Sequence, residues 1–278
     1  MSRTTSHIGL AGRLPGAAAY EIADPGWQLW MDLLEISLGE AGHPAWSAIV
    51  PSLAERPGEA PLLDGATLRV DARRAGDLAR HLAGAAGVVA AEAIDAGEMI
   101  RAAIEHDDET FARAGARLGI DPDTVAVLAQ LTALPLLQAC ARLLGADASR
   151  AWQRGYCPVC GVWPSLSELR GIDRDRRLRC GCCGADWSFP VLRCAFCDEV
   201  DHLKLGSLLL EGEEQRRRVE TCESCHGYLK SVTTLGALPF RTLALEDLTT
   251  VPLDLAAQDR GFTRPSRPGW RPRITLVA

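Results

Sequence analysis

Along the first half of the chain, apolar residues recur at helical spacing. In "DPGWQLWMDLLEISLGEAG" (24–42), Trp30, Leu33, Leu34 and Leu38 fall at i, i+3, i+4 and i+8, one stripe of an amphipathic helix, with Gly39 and Gly42 as stop signals. The Ala-rich run "ARRAGDLARHLAGAAGVVAAEAIDAGEMIRAAIEH" (72–106) continues the helical character. "DPDT" (121–124) then supplies Asp and Pro in the order that opens a helix. The most apolar stretch, "VAVLAQLTALPLLQACARLL" (125–144), is interrupted by Gln130, Pro135, Gln138 and Arg142. A membrane span needs roughly 20 predominantly apolar residues, so this stretch reads as a core helix bent at Pro135 and no membrane insertion is expected. "RPGEAPLLDGATLR" (56–69) is turn-rich and is expected to join two early helices across the surface. The pattern predicts a helical bundle, without a fixed-period repeat.

The second half changes texture. "ADWSFPVLRC" (185–194) and "HLKLGSLLLEGEEQRRRVETC" (202–222) look extended, and the latter predicts a hairpin around "EGEE". "DLTTVPLDLAAQDRGF" (247–262) predicts a helix interrupted at Pro252, followed by a Pro/Arg-rich tail.

Length and charge support a division at the same place. A chain of 278 residues fits about two domains at roughly 150 residues each. Residues 1–150 carry 12 Lys/Arg against 20 Asp/Glu, and residues 151–278 carry 18 against 16. The acidic cluster "EHDDE" (105–109) imitates a metal site, but acidic residues favour the positive end of a helix, so a solvated N-terminal cluster is the expected outcome. The first twenty residues lack the continuous apolar core of a secretory signal. A cytoplasmic location is therefore expected, where thiols stay reduced.

Cysteine is the strongest chemical signal. Nine of ten fall between Cys157 and Cys225, while Cys140 sits in the apolar helical pattern and is expected in the core. The nine include four C-x2-C pairs, Cys157/Cys160, Cys180/Cys183, Cys194/Cys197 and Cys222/Cys225. That spacing lets two sulfurs on one tight turn reach the same ion, and Gly161 and Gly184 after the first two pairs ease the return of the chain. Eight thiolates suffice for two tetrahedral sites. Pairing in order gives gaps of 19 and 24 residues; the first lies within the usual 15–20 residue range, which favours two successive ribbons over a cross-braced arrangement. Cys182, inside the second pair, is left over as a spare, an alternative ligand, or a thiolate held reactive by the metal and by Arg177 and Arg179. His226 is left out because both sites fill without it.

Four thiolates close a metal's coordination, so hydrolytic chemistry has no open position. Iron and zinc both accept such a site. No P-loop, nucleophile elbow or dinucleotide-binding fingerprint is present.

Taken together, "CPVCGVWP" (157–164), "LRCGCCGADW" (178–187), "RCAFC" (193–197), "ETCESCHGYLK" (220–230) and "EDLTTVPLDLAAQDRGFTRP" (246–265) resemble the FdhE family of formate dehydrogenase accessory proteins. "APLL" (60–63) before the central helices is compatible with that resemblance. It implies a mainly α N-terminal domain (1–150), two small β-rich rubredoxin-like or zinc-ribbon modules (151–190 and 191–235), and a C-terminal helix and tail (236–278). It further implies that Cys157, Cys160, Cys180, Cys183, Cys194, Cys197, Cys222 and Cys225 hold two metal ions, iron in this family, with zinc as the alternative. The implied role is not enzymatic: binding the catalytic subunit of a respiratory, molybdenum-dependent formate dehydrogenase and supporting its maturation before export. The chain departs from the family in having Cys182, and in an apolar "SVTTLGALPF" (231–240) where a charged segment is expected.

Two other classes compete with this reading. A nucleic-acid-binding zinc ribbon would use "RDRR" (174–177), "RRR" (216–218) and "RPSRPGWRPR" (264–273) against phosphate. The net charge of −6 argues against it, as does the scarcity of aromatics among these runs. A rubredoxin-like electron carrier would use iron for one-electron transfer, but a large helical domain is surplus to that task.

Overall fold

The computed structural model of the chain describes residues 11–14, 25–47, 59–210 and 216–277. The remaining first-twenty residues, residues 56–58 and the "EGEE" hairpin tip lie outside the described residues.

Helices occupy the first half. They are α1 (Pro25–Ala41), α2 (Pro44–Ser47), α3 (Ala72–Ala85), α4 (Ala96–Glu105), α5 (Asp108–Leu118) and the long α6 (Pro122–Ser149). The predicted stripe of α1 faces inward, with Leu33 and Leu34 buried and Trp30 and Leu38 partly so. Gly39 lies inside that helix, and the turn begins only at Gly42. The run 72–106 is broken where Gly87 takes a φ of 77°, so it forms α3 and α4 with a short 3₁₀ turn, Ala91–Ala93, between them. Aspartate caps four helices: Asp71, Asp95, Asp107 and Asp121 each accept a backbone N–H of the first turn. Asp107 thereby gives the cluster at 105–109 a structural role, while Glu105 accepts the Ile274 N–H at 2.9 Å.

α6 is the axis of this half. Its segment Pro122–Leu144 is long and apolar enough to cross a membrane by length and composition, yet it is mostly buried against the other helices. It runs through Pro135 without ending. Ser37 donates to the Leu131 carbonyl at 2.7 Å and fixes α1 against it, and Cys140 is fully buried on it.

Six strands of the second half and one from the N-terminal segment, β1, build a seven-stranded sheet in the order β1-β6-β7-β8-β3-β4-β5. Its strands are β1 (Ala11–Leu14), β3 (Leu166–Arg170), β4 (Asp175–Arg179), β5 (Asp186–Ser188), β6 (Leu205–Leu210), β7 (Arg217–Cys222) and β8 (Tyr228–Thr234). The predicted hairpin is β6–β7, antiparallel with Leu205 opposite Cys222. In 185–194 only residues 186–188 form strand. β3 pairs in parallel with β8, which merges the strands of the two cysteine-bearing segments into one sheet. On one face, Leu208, Val219 and Tyr228 pack against α8 (Val251–Gln258). Leu166 and Val232 pack there against Leu243 of α7 (Phe240–Thr249). The predicted break appears at Thr250, with Pro252 in the first turn of α8, but α7 starts at Phe240, seven residues before the predicted onset at 247.

Besides the β1–β6 pairing, backbone contacts join the halves at two further places. β2 (Thr67–Arg69), in the segment read as turn-rich, pairs in parallel with β9 (Thr275–Val277) at the end of the tail. The amides of Leu62 and Leu63 donate to the carbonyls of Pro158 and Val159 at 2.8 and 3.0 Å, docking the first C-x2-C turn on the helical half. The chain is thus a helical N-terminal region joined to a β-rich region with two four-cysteine clusters.

Candidate metal centres

Each cysteine pair sits on the same turn. The amide two residues beyond the first cysteine points at its sulfur in three cases, with Val159, Cys182 and Phe196 each 3.4 Å from the sulfur of Cys157, Cys180 and Cys194. The residue after the second cysteine takes a left-handed conformation every time: Gly161 (φ 81°), Gly184 (79°), Asp198 (63°) and His226 (53°). Glycine adopts this freely, while Asp and His accept it at a modest cost. Asp198 and His226 are therefore turn formers that glycine spacing alone does not reveal.

These turns bring the eight predicted thiols into two sets, paired in sequence order. Cys157, Cys160, Cys180 and Cys183 form one, and Cys194, Cys197, Cys222 and Cys225 the other, with all sulfurs of a set within 4.8 Å of one another. The contacts are 3.5 Å (Cys157–Cys183), 3.5 Å (Cys160–Cys180) and 3.8 Å (Cys160–Cys183) in the first, and 3.7 Å (Cys194–Cys225 and Cys197–Cys222) in the second. A tetrahedral ion at about 2.3 Å from each sulfur requires sulfur–sulfur edges of about 3.8 Å. Both sets fit a metal ion, and four donors would close its coordination. Cys182 belongs to neither; it lines an apolar cavity of about 270 Å³ with Trp30, Leu34 and Phe240.

Burial and mutual hydrogen bonds also set the proton affinities of these thiols. In the first set, burial pushes the Cys183 thiol well up. Burial also opposes ionisation of Cys180, but hydrogen bonds from Cys157, Cys160, Cys182 and Cys183 outweigh it and hold that thiol well below its usual range. In the second set, the hydrogen bond with Cys225, then burial, raises Cys194. Metal entry would displace protons from such thiols, making affinity pH-dependent.

The surroundings of the two centres differ. The first lies in the main core, its four cysteines at most 2% exposed. The second has Cys194 and Cys222 buried but Cys197 and Cys225 at the surface. Aromatic edges connect them: Tyr156, next to Cys157, meets Trp163 at 5.9 Å, and Trp163 meets Phe196 of the third turn at 5.4 Å. A Cβ on Gly155 would lie 1.7 Å from the Ala195 carbonyl oxygen, so the chain entering the first centre touches the third turn directly.

Residues 192–268 match the family described as FdhE, C-terminal domain. The chain is 34% identical over 119 residues to the protein FdhE homolog of Aquifex aeolicus, covering 42% of this chain and 41% of that protein. It is 33% identical over 119 residues to the homolog of Pseudomonas aeruginosa, covering 41% and 38%. The matched region thus spans about two fifths of these curated relatives. The fold is similar to the crystal structure of the FdhE protein from Pseudomonas aeruginosa, with a TM-score of 0.53 and 23% identity over 87% of this chain and 95% of that one.

Proposed function

We propose, from the match of residues 192–268 to the FdhE C-terminal domain and the likeness to curated FdhE homologs, that the chain is a member of the FdhE family that binds the catalytic subunit of a formate dehydrogenase in the cytoplasm and supports formation of the active enzyme. The observation that carries the reading is the pair of closed four-cysteine clusters. Four thiolates on one ion leave no position for substrate, so the centres serve as structure for a binding surface rather than as a site of turnover.

In this reading Cys157, Cys160, Cys180 and Cys183 hold one ion, and Cys194, Cys197, Cys222 and Cys225 the other. The family resemblance favours iron, with zinc as the alternative. Iron would supply one-electron chemistry when bound, whereas zinc would supply closure alone. The proposed units are the helical domain 1–150, the modules 151–190 and 191–235, and the helix and tail 236–278, the modules sharing the sheet through β3 and β8.

The test is a pull-down with tagged chain from cells making a respiratory formate dehydrogenase, paired with formate oxidation in a strain lacking the protein. Recovery of the catalytic subunit and loss of formate oxidation are expected. Normal oxidation with no recovery would overturn the reading.

A further inference from the structure

On the sheet face opposite α7 and α8, a groove of about 230 Å³ opens between β6, β7 and the segment leading into the third cysteine turn. Arg176, Arg193 and Arg218 line it. Two of these are engaged. Arg176 pairs with Glu220 and donates to the carbonyls of Pro190 and Arg193 at 2.9 and 3.0 Å. Arg193 pairs with Asp198 at 3.0 Å and lies over the Phe189 ring.

Arg218 is not engaged. Its Nε is buried without an acceptor, and its side chain makes no hydrogen bond or ion pair with any described residue. Burial acts most strongly against its charge, Glu220 favours it, and Arg174 and Arg176 oppose it. Glu220 is already taken by Arg176, with Ser167 at 3.4 Å. An Nε–H buried without an acceptor carries a desolvation cost that an anion paired with this guanidinium would offset. The groove wall is also apolar, with Val191 55% and Leu192 63% exposed.

We propose that this groove docks an acidic, partly apolar segment of a protein partner, one carboxylate pairing with Arg218 while apolar side chains cover Val191 and Leu192. The proposal rests on the accessory reading only for the partner being a protein. Nucleic acid suits the groove less well, because the chain carries a net charge of −6 and the wall offers aliphatic rather than stacking contacts. Cys194 and Cys222 also line the groove, so metal at the second centre would set the shape of its wall.

The metal-loaded full chain should be titrated by fluorescence anisotropy with a labelled peptide alternating Glu with Leu and Val. Saturable binding is expected, weakened about ten-fold or more when Gln replaces Glu in the peptide or in the Arg218→Gln variant. Arg216→Gln, an exposed arginine outside the groove, should bind as the unsubstituted chain does. Arg218→Gln should keep its metal and be no less stable, since it removes an unpaired charge. Unchanged peptide binding by Arg218→Gln, absence of saturable binding, or tighter capture of a labelled single-stranded oligonucleotide would overturn the proposal. The pull-down separates the two readings. Equal recovery of the catalytic subunit by the unsubstituted chain and Arg218→Gln removes the groove and leaves the accessory role. No recovery by either, with Arg218-dependent peptide binding intact, removes the accessory role and leaves the groove.

Discussion

The two cysteine clusters are built from the same turn and placed in different environments. The first is fully enclosed, continuous with the packing of α6 and tied through Pro158 and Val159 to the helical half. The second stands at the edge of the β-rich region, with two sulfurs at the surface and an arginine-lined groove beside it. Local spacing sets the donor geometry, while long-range packing decides what a metal does there. An ion in the first centre would hold the two halves together. An ion in the second would shape a surface, and its exposure would let it exchange.

The largest effect should come from breaking the first centre. Cys157→Ser is expected to cost on the order of 5 kcal/mol or more, because it removes one of the four buried sulfurs proposed to hold an ion inside the common core. It should lower the melting temperature of helical and β-rich signals together. Cys225→Ser should loosen only the β-rich half, visible in limited proteolysis, while the helical circular dichroism melts as before. Identical melting of the two variants would erase the distinction.

The link between centres is the next target. Gly155→Ala forces a methyl into the Ala195 carbonyl and should destabilise by about 3 kcal/mol, the upper range for overpacking. A denaturant titration of the metal-loaded protein reads this, and a change below the error of the midpoint would show the two segments to be mechanically independent.

A smaller effect concerns pH. Burial, then Arg271, holds His106 down at about 4, and its Nε2 is buried without a partner. The unfolded chain takes up this proton near pH 6.5, so stability is full above that value and falls as pH drops toward 4. Between pH 7 and 5 the loss should be about 2 kcal/mol, and His106→Asn, which tolerates the left-handed backbone there, should remove it. Equal pH slopes in the two proteins would contradict this.

Cys182→Ser should have the least effect. Its sulfur is outside both clusters, so both metals should remain and stability should change by less than about 1 kcal/mol. Metal analysis showing one equivalent lost would place Cys182 among the ligands.

Much of this architecture is legible in the sequence because its signals are local. The stripe through Trp30, Leu33, Leu34 and Leu38, the Asp121-Pro122 start of α6, the β6–β7 hairpin and the four C-x2-C turns each lie within one short window. What is not legible depends on distant partners. β2 and β9 are three residues each and meet across some 200 positions, so neither carries a pattern strong enough to announce a strand. The β3–β8 pairing joins two segments that look self-contained. The cluster at 105–109 reads as solvated, yet Glu105 is committed to the tail. Arg218 lies within "RRR" (216–218), where composition suggests phosphate; the fold sends Arg217 to Glu246 on one face and Arg218 into the groove on the other. Alternation along β7 explains that split, and only the packed sheet says which face is which.

The most direct test of the two-centre account is release of metal to a chelator, followed by metal analysis and circular dichroism on one sample. We expect about one equivalent to leave quickly with the helical signal unchanged, and a second to leave slowly, in step with unfolding. The fast phase should vanish in Cys225→Ser and persist in any folded fraction of Cys157→Ser. Release of both equivalents in one phase from a chain that stays folded would contradict the account.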